Sequence, residues 1–358
     1  MRPGAYALLN QAALQHNLAQ VRAYRPSAKV MAVIKANGYG HGLIAIAQAL
    51  EGADAFAVAR VDEGIRLREA GCKKPMTVLE GFSSNEELSA LLRYQLDTVV
   101  HCPEQLPLLQ QRPEQAALKV WLKMDTGMNR LGFKAQAFAE AHHQLQHCPV
   151  VIQPVGLMTH LANADVGHDD FTLRQVDLFN EATQGWVGPR SIANSAGLIG
   201  WPQTNADWVR PGVMLYGVSP FPGKTGVDLG LEPAMALQSR LIAIKPISKG
   251  ETLGYGCAWR CHQDTLVGVV AIGYGDGYPR HAKEGTPVLV NGQRVPLIGR
   301  VSMDMLTVDL ASQPGAKLGD PVILWGKGLP VEEIADCAAT IPYTLLCGIT
   351  QRVPIEAF

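Results

Sequence analysis

The chain has 358 residues, 47% of them hydrophobic and 18% charged, with a formal net charge of −1. That leaves ample apolar material for a sizeable core and excludes a disordered chain. The near-neutral balance, with no long run of one sign, argues against nucleic acid or a membrane surface as partner. The N-terminal "MRPGAYALLNQAALQHNL" lacks the continuous apolar stretch of a signal peptide, and no run of about 18 apolar residues suggests a spanning helix. The seven cysteines are scattered, and "CAWRC" at Cys257 and Cys261 with His262 has no second ligand cluster at zinc spacing. Reduced structural thiols, no metal and a cytoplasmic location are therefore expected.

Short apolar runs recur every twenty to forty residues or so, as strands alternating with helices do. They are "KVMAVIKA", "AFAVAR", "MTVLEG", "LDTVVH", "KVWLKMD", "PVGLMTH", "SIANSAG" and "VRPGVMLYG". Between them lie segments of helical period, such as "LIAIAQALEG", "EGIRLREAG", "NEELSALLRYQ" and "QAFAEAHHQL". Continuous apolar strands alternating with helices indicate a parallel sheet covered on its faces. Periodicity does not distinguish an open doubly wound sheet from a closed one. Eight units in about 220 residues favour a TIM-like (β/α)8 barrel.

After about residue 230 the texture changes. "RLIAIKPI", "TLVGVVAIGYG", "TPVLVNGQRVPLIGRV", "MDMLTVDL" and "DPVILWG" are strand-like pieces punctuated by Gly, Pro and Asn. "VNGQ" predicts a hairpin, and the next helix is expected only at "PVEEIADCAAT". The fold class is α/β: a barrel over 1–230 and a mostly-β domain over 231–358.

A barrel carries its functional groups at the C-terminal ends of its strands. Several ends are polar where a plain core would not be: Lys35, Lys123 with Asp125, His160, Asn194 with Ser195, and Arg210. Each alone has a structural explanation, such as a lysine snorkelling or a histidine bonded to a carbonyl. Their convergence on one mouth is harder to explain that way. A lysine at a buried strand end suggests Schiff-base chemistry, because desolvation frees an amine lone pair to attack an aldehyde. "NGYGHG", "NSAG" and "RPGV" supply permissive backbone, a Tyr39 hydroxyl and N–H groups able to cradle a phosphate. Lysine plus phosphate cradle points to pyridoxal 5'-phosphate, and equally to a sugar-phosphate aldolase.

The motifs then become specific. "AVIKANGYGHG" resembles the cofactor-lysine signature of the alanine racemases, the barrel-type (fold type III) pyridoxal-phosphate enzymes. "WLKMDTGMNRLG", "LMTHLANAD", "IANSAG", "DWVRPGVMLYG", "GYG" at 254–256, "GYGDGYPRH" and "GRVSMDM" follow in the family's order and spacing, across essentially the whole chain.

That resemblance implies roles. Lys35 would hold the cofactor covalently and serve as one catalytic base, with Tyr255 of a second subunit as the other. Arg210 would bond the pyridine nitrogen and leave it unprotonated, since a guanidinium does not readily surrender a proton. His160 would lie between Tyr255 and Arg210. Arg130 and the Met303 backbone would take the substrate carboxylate, Met303 again from across a homodimer. Tyr39, Asn194, Ser195, Gly212, Val213 and Tyr343 would hold the cofactor, most of them at its phosphate. Lys123 matches a position often carbamylated, where it positions Arg130. Asp165, Tyr274, Arg280, Arg300 and Ile341 match positions along the substrate's access path. Inverting a Cα centre needs proton carriers on opposite faces, each worth about 10²–10⁴-fold in rate.

The function implied is interconversion of L- and D-alanine, supplying D-alanine for peptidoglycan or serving alanine catabolism. A broader amino-acid racemase, accepting serine for example, is the alternative. A decarboxylase of the same barrel class would place an acidic residue where "DWVRPG" has Arg210, and a non-catalytic pyridoxal-phosphate carrier would lack the β domain. Tyr274 and Tyr278 could instead be turn aromatics, and Met303 and Met305 core methionines. His41, His101, His142, His143 and His147 read as surface or loop residues.

Overall fold

The structure, a computed structural model, describes residues 4–112, 117–167 and 169–358. Its first strand, β1 (Tyr6–Leu9), precedes eight parallel strands that close into a barrel. These are β2 (Lys29–Val33), β3 (Ala55–Val58), β4 (Met76–Val78), β5 (Asp97–Val100), β6 (Leu118–Lys123), β7 (Val151–Met158), β8 (Arg190–Ser191) and β9 (Trp208–Val209). Each overlaps one of the eight apolar runs, the last two by a single residue, Ser191 and Val209. Closure is direct, with β2 pairing β3 on one side and β9 on the other. The barrel strands are short and largely buried, as expected where side chains fill the interior and helices cover the outside. Helices of the expected period return between strands, as in Val61–Glu69, Asn85–Arg93 and Ala135–Gln146. Ser84 starts the second of these by accepting the Glu87 N–H at 3.2 Å, which satisfies one of the donors a helix N-terminus leaves free.

The β-rich remainder is built on β10 (Met235–Ile247), β11 (Thr252–Leu253), β12 (Trp259–Arg260) and β13 (Thr265–Val270). It continues with β14 (Pro287–Val290), β15 (Gln293–Ile298), β16 (Leu306–Asp309), β17 (Pro321–Trp325) and β18 (Ile355–Ala357). The long β10 pairs with β17 early in its length and with β13 later, so the strands β10, β13, β16, β15, β14 and β17 form a ring. The "VNGQ" hairpin forms as the sequence predicts. Val290 faces Gln293, with Asn291 and Gly292 between them at φ of 50° and 79°, the left-handed pair a tight hairpin turn requires. Beyond the expected helix (Val331–Cys337) lies a second, Pro342–Cys347, that the sequence reading did not foresee.

The N-terminus also departs from expectation. Residues 6–9 were assigned to the barrel half of the chain, yet β1 lies in the other sheet, antiparallel to β10 and parallel to β18. The alternation of "YALL" explains why: Ala7 and Leu9 are buried and Tyr6 and Leu8 only partly so, a one-face pattern unlike the largely buried barrel strands. Among the described residues no helix is long and apolar enough to cross a membrane.

One large contiguous core contains Leu9, Val30, Leu122, Leu237 and Val322, and so runs through both halves. The two halves should therefore unfold together. Leu9→Ala is expected to lower stability by about 2–5 kcal/mol, the usual cost of emptying a buried leucine site, within a single urea transition. Two separate transitions, or an unchanged midpoint, would contradict this account of β1.

Candidate active site

The C-terminal ends of the barrel strands open into a cleft of about 1830 Å³. Lys35 follows β2, Lys123 ends β6, His160 lies just beyond β7, and Arg210 follows β9; all four line the cleft. Strand register, which points alternate residues inward, brings together groups far apart in the chain.

The segment after Lys35 has an unusual backbone. Ala36, Asn37, Gly38 and Tyr39 have φ of 54°, 55°, 64° and 50°, a single turn of left-handed helix. L-residues with a Cβ lose roughly 1–2 kcal/mol each there, so neighbours must enforce the turn. Gly38 N–H donates to Ile34 O at 2.9 Å and Gly42 N–H to Asn37 O at 2.9 Å. Asn37 Oδ1 accepts the Leu43 N–H at 3.1 Å. His41 Nδ1 lies 2.8 Å from Tyr39 O and 3.1 Å from Gly38 O, which fixes the proton on Nδ1. His41 is fully buried and packs on the Tyr216 ring, with centroids 4.7 Å apart. Burial lowers its pKa to about 4, so it is neutral. His41 lies in a turn, as a loop histidine would, but it is not at the surface: it holds up the segment that carries Lys35 and Tyr39. His142 is also buried, stacked on Trp186.

Opposite this turn, Ser195 Oγ accepts the Gly212 N–H at 2.9 Å and the Met214 N–H at 3.5 Å. With both lone pairs engaged, its hydroxyl proton is directed elsewhere and can be given to an anion. Asn194 caps the short helix Ser195–Gly200 through Gly197 N–H at 2.9 Å. A Cβ on Gly212 would fall 2.4 Å from Tyr39 Oη, so only glycine allows that hydroxyl to reach the cradle. Tyr343 closes the side, its ring 6.0 Å from that of Tyr39. Tyr39, Asn194, Ser195, Gly212, Val213 and Tyr343 all line the cleft. Hydroxyls and backbone donors beside a lysine amine suit a phosphate ester that also carries an aldehyde.

Charge dominates the floor. Arg210 is buried; its Nη1 donates to Ser191 Oγ at 2.5 Å and its Nη2 to Thr159 O at 2.5 Å and Ile192 O at 3.2 Å. Burial lowers its pKa to about 10, which still leaves it charged near neutrality. Arg210 Nη2 also sits 3.5 Å from His160 Nδ1. Because the guanidinium can only donate, Nδ1 is the bare nitrogen and Nε2 holds the proton. Burial, then Arg210 and Lys123, press the His160 pKa well below its usual range. Lys123 is buried, and desolvation followed by Arg210, Arg130 and Lys35 lowers its pKa to about 8. Asp125, grouped with Lys123 in the sequence, is engaged elsewhere. It accepts from Gly127 and Asn129 N–H and from Lys134 Nζ at 2.7 Å, which shapes the loop leading to Arg130.

Arg130, Asp165 and Ile341 lie at the exposed rim of the cleft. Tyr255, Tyr274, Arg280, Arg300 and Met303 are not among its lining residues. They sit on the β half; Tyr255 is 70% and Met303 53% exposed, and Met305 is exposed with it, so neither methionine is in a core. Tyr278, by contrast, is buried. Cys347, which no motif in the sequence singles out, also lines the cleft; burial raises its thiol pKa, and the nearby Lys35 ammonium offsets part of that rise.

Comparison with known proteins now bears on this geometry. Residues 9–220 match the family profile "Alanine racemase, N-terminal domain" and 234–357 match "Alanine racemase, C-terminal domain". The chain belongs to the alanine racemase family. It is 51% identical over 354 residues to an alanine racemase of Coxiella burnetii, covering 98% of this chain and 97% of that one. It is likewise 51% identical over 355 residues to one from Shewanella sediminis, with 99% of each covered. The biosynthetic alanine racemase of Pseudomonas aeruginosa superposes with a TM-score of 0.96 at 40% identity over the whole of both chains. The activity is that of a pyridoxal-phosphate-dependent isomerase acting on alanine.

The Lys123 environment has a measurable consequence. A lysine whose folded pKa lies below its unfolded value binds fewer protons when folded, so stability rises with pH across the window from about 8 to 10.5. In cofactor-free, bicarbonate-free protein at pH 7, Lys123→Met should add up to about 3 kcal/mol, 1.36 kcal/mol for each pKa unit. The gain should shrink above pH about 8, and the separately prepared holoenzyme of the same variant should lose racemase activity. Urea titrations across that range test it; a destabilised variant at pH 7 would refute the reading.

Proposed function

We propose that this racemase works as a homodimer with shared sites, Lys35 of one subunit and Tyr255 of the partner subunit serving as the two proton carriers. One observation carries the reading: Lys35 stands on the floor of the cleft, while Tyr255, exposed on the β half, lies outside the cleft lining. A second copy, turned so that its β half meets the first copy's barrel mouth, would complete both sites at once, as two-fold pairing requires.

Pyridoxal phosphate supplies, when bound, a conjugated ring that spreads the electron pair left behind at Cα. Lys35 would anchor it through Nζ, with Tyr39, Ser195, Tyr343 and the backbone at Gly212 and Val213 holding its phosphate and Asn194 shaping the cradle. Arg210, both Nη atoms committed to Ser191, Thr159 and Ile192, has Nε–H left for the ring nitrogen. Because a guanidinium does not pass its proton on, that nitrogen stays unprotonated and the ring withdraws electrons only moderately. Arg130 and the Met303 N–H of the partner subunit would hold the substrate carboxylate and fix Cα between the bases.

Lys35 Nζ would take or return the Cα proton on one face, and Tyr255 Oη of the partner subunit on the other. His160, neutral with Nε2 protonated, would donate to that phenol oxygen and set its direction. At Lys123, the lowered pKa makes the amine nucleophilic, which favours carbamylation. An anionic carbamate there would relieve the crowding of positive charge and orient Arg130. Asp165 and Ile341, with Tyr274, Arg280 and Arg300 of the partner subunit, would border the access path. The unpaired cysteines suit a reducing compartment such as the cytoplasm.

Complementation tests the shared site. Lys35→Ala and Tyr255→Phe proteins should each be nearly inactive alone. Unfolded and refolded together, they should recover roughly a quarter of wild-type activity, since half the dimers would be mixed and each mixed dimer holds one intact site. No recovery from a demonstrably mixed dimer would place both bases in one subunit and defeat the proposal.

A further inference from the structure

Two loops of the β half meet at Met303. Tyr274 N–H donates to Ser302 O at 3.0 Å and Gly275 N–H to Met303 O at 2.8 Å, while Ser302 N–H and Oγ–H both close on Met305 O, at 2.9 and 2.7 Å. A Cβ on Gly273 would lie 2.3 Å from Ser302 O and 2.4 Å from Met303 O, so the loops touch backbone to backbone. Met303 N–H itself donates to no acceptor among the described residues.

Arg352, near the C-terminus, spans this junction from behind. Its Nη2 donates to Asp304 Oδ1 at 2.8 Å, and its Nε lies 3.3 Å from Asp276 Oδ1. The buried Asp276 accepts the Gly273 N–H at 3.0 Å, and its carbonyl accepts Thr350 N–H at 3.2 Å. Thr350 Oγ1 in turn donates to Gly275 O at 2.9 Å. The guanidinium lies against Gly275, where a Cβ would come within 2.4 Å of Nη1. One rigid fork thus grips both loops on either side of the residue whose N–H is left free. A lysine, as a point charge, could not reach both carboxylates in that geometry.

We propose that Arg352 is a positioning residue for substrate binding: by clamping Asp276 and Asp304 it aims the Met303 N–H, and through the dimer it does so for the other subunit's site. This rests on the shared-site reading above. The Arg352–Asp304 pair, with both side chains about half accessible, is too exposed to matter much for stability, and the buried Asp276 keeps the Gly273 N–H as a partner when Arg352 is lost. The regularity of these ion pairs therefore calls for another explanation. A donor that meets the carboxylate in both ground and transition states sets KM more than kcat.

In the holoenzyme, Arg352→Gln should raise the KM for alanine about tenfold or more, as loss of a hydrogen bond to a charged group does. The change in kcat should stay within about threefold, and Tm within about 2 °C. Two differently tagged hybrids then separate this from a general defect. In the first, one copy carries Lys35→Ala with Arg352→Gln and the other is wild type, so the single working site draws Met303 from the altered copy. In the second, one copy carries Lys35→Ala and the other Arg352→Gln, so the working site draws Met303 from an unaltered copy. The expected result is a raised KM in the first hybrid only, relative to a Lys35→Ala/wild-type reference. Reference values in both, or a rise in both, overturn the proposal. A rise in the second alone means Arg352 acts within its own subunit, which also overturns it; failed complementation between Lys35→Ala and Tyr255→Phe would mark that as a failure of the shared site. Should Arg352→Gln not fold, Asp304→Asn, at an exposed position, must give the same pattern.

Discussion

The arrangement at the barrel mouth depends on an unbalanced charge. Lys35, Lys123, Arg130 and Arg210 line one cleft, and none makes an ion pair with a carboxylate of the chain among the described residues. Carboxylates such as Asp165 also line the cleft but pair with none of them, and Asp125, which attracts Lys123, is tied to Lys134. Like charges brought together in a partly desolvated site repel strongly. The protein accommodates them by keeping His160 neutral and bringing Lys123 to the edge of deprotonation. The same field is an invitation. A phosphate ester carries about −1.5 to −2 charges near neutrality and an amino-acid carboxylate one more, so cofactor and substrate together nearly offset the cations. Stability is given up in the empty site so that anions are held firmly in the filled one.

That field is useful only if the lysine amine and the phosphate cradle have a fixed relation, which the left-handed turn provides. A right-handed helix would carry residues after Lys35 along the strand axis and away from the mouth. The mirror-handed turn doubles the chain back, so that Tyr39 faces Gly212 while Lys35 remains in the cleft. Such strain survives only where surroundings over-determine it. Here the His41 ring, the Asn37 side chain and the backbone bonds to Ile34 do so. Full burial makes His41 a one-way brace: charging it is unfavourable, so it keeps the tautomer that its carbonyl partners need.

Much of this was readable in the sequence, for identifiable reasons. Barrel strands such as β2, β3 and β6 stood out because strands buried on both faces must be largely apolar, and against that background a terminal Lys35 or Lys123 is conspicuous. β1 escaped because four alternating residues carry little periodic signal, and the helix Pro342–Cys347 because a six-residue helix shows too little of a face. The burial of His41 was missed because its flanking glycines suggest an exposed loop; that burial comes from Tyr216, 175 positions away in the chain. Ser191 and Thr159, which fix Arg210, give no signal in isolation. Tyr255 and Met303 carry no periodicity at all, and their proposed roles come from family resemblance alone.

The size of the cleft bears on why two halves are needed. Pockets that enclose a small molecule typically measure about 300–1,000 Å³, well below the 1830 Å³ open here. Alanine offers one methyl group, one carboxylate and one amine, too little to shape a lid around itself. Water left in such a space would weaken every electrostatic contact and offer competing proton donors at Cα. Under the proposed mechanism something else would fill the mouth, and it would have to be rigid for two proton carriers to face each other across a single carbon. The β half presents Tyr255, Met303 and Tyr274 on loops that are cross-braced and anchored to a closed ring of strands. Within one subunit those groups stay outside the cleft lining, and a flexible hinge able to bring them there would forfeit the precision the chemistry needs. Rigid two-fold pairing, as proposed above, would supply cover and geometry together, and this is the physical argument for each subunit completing the other.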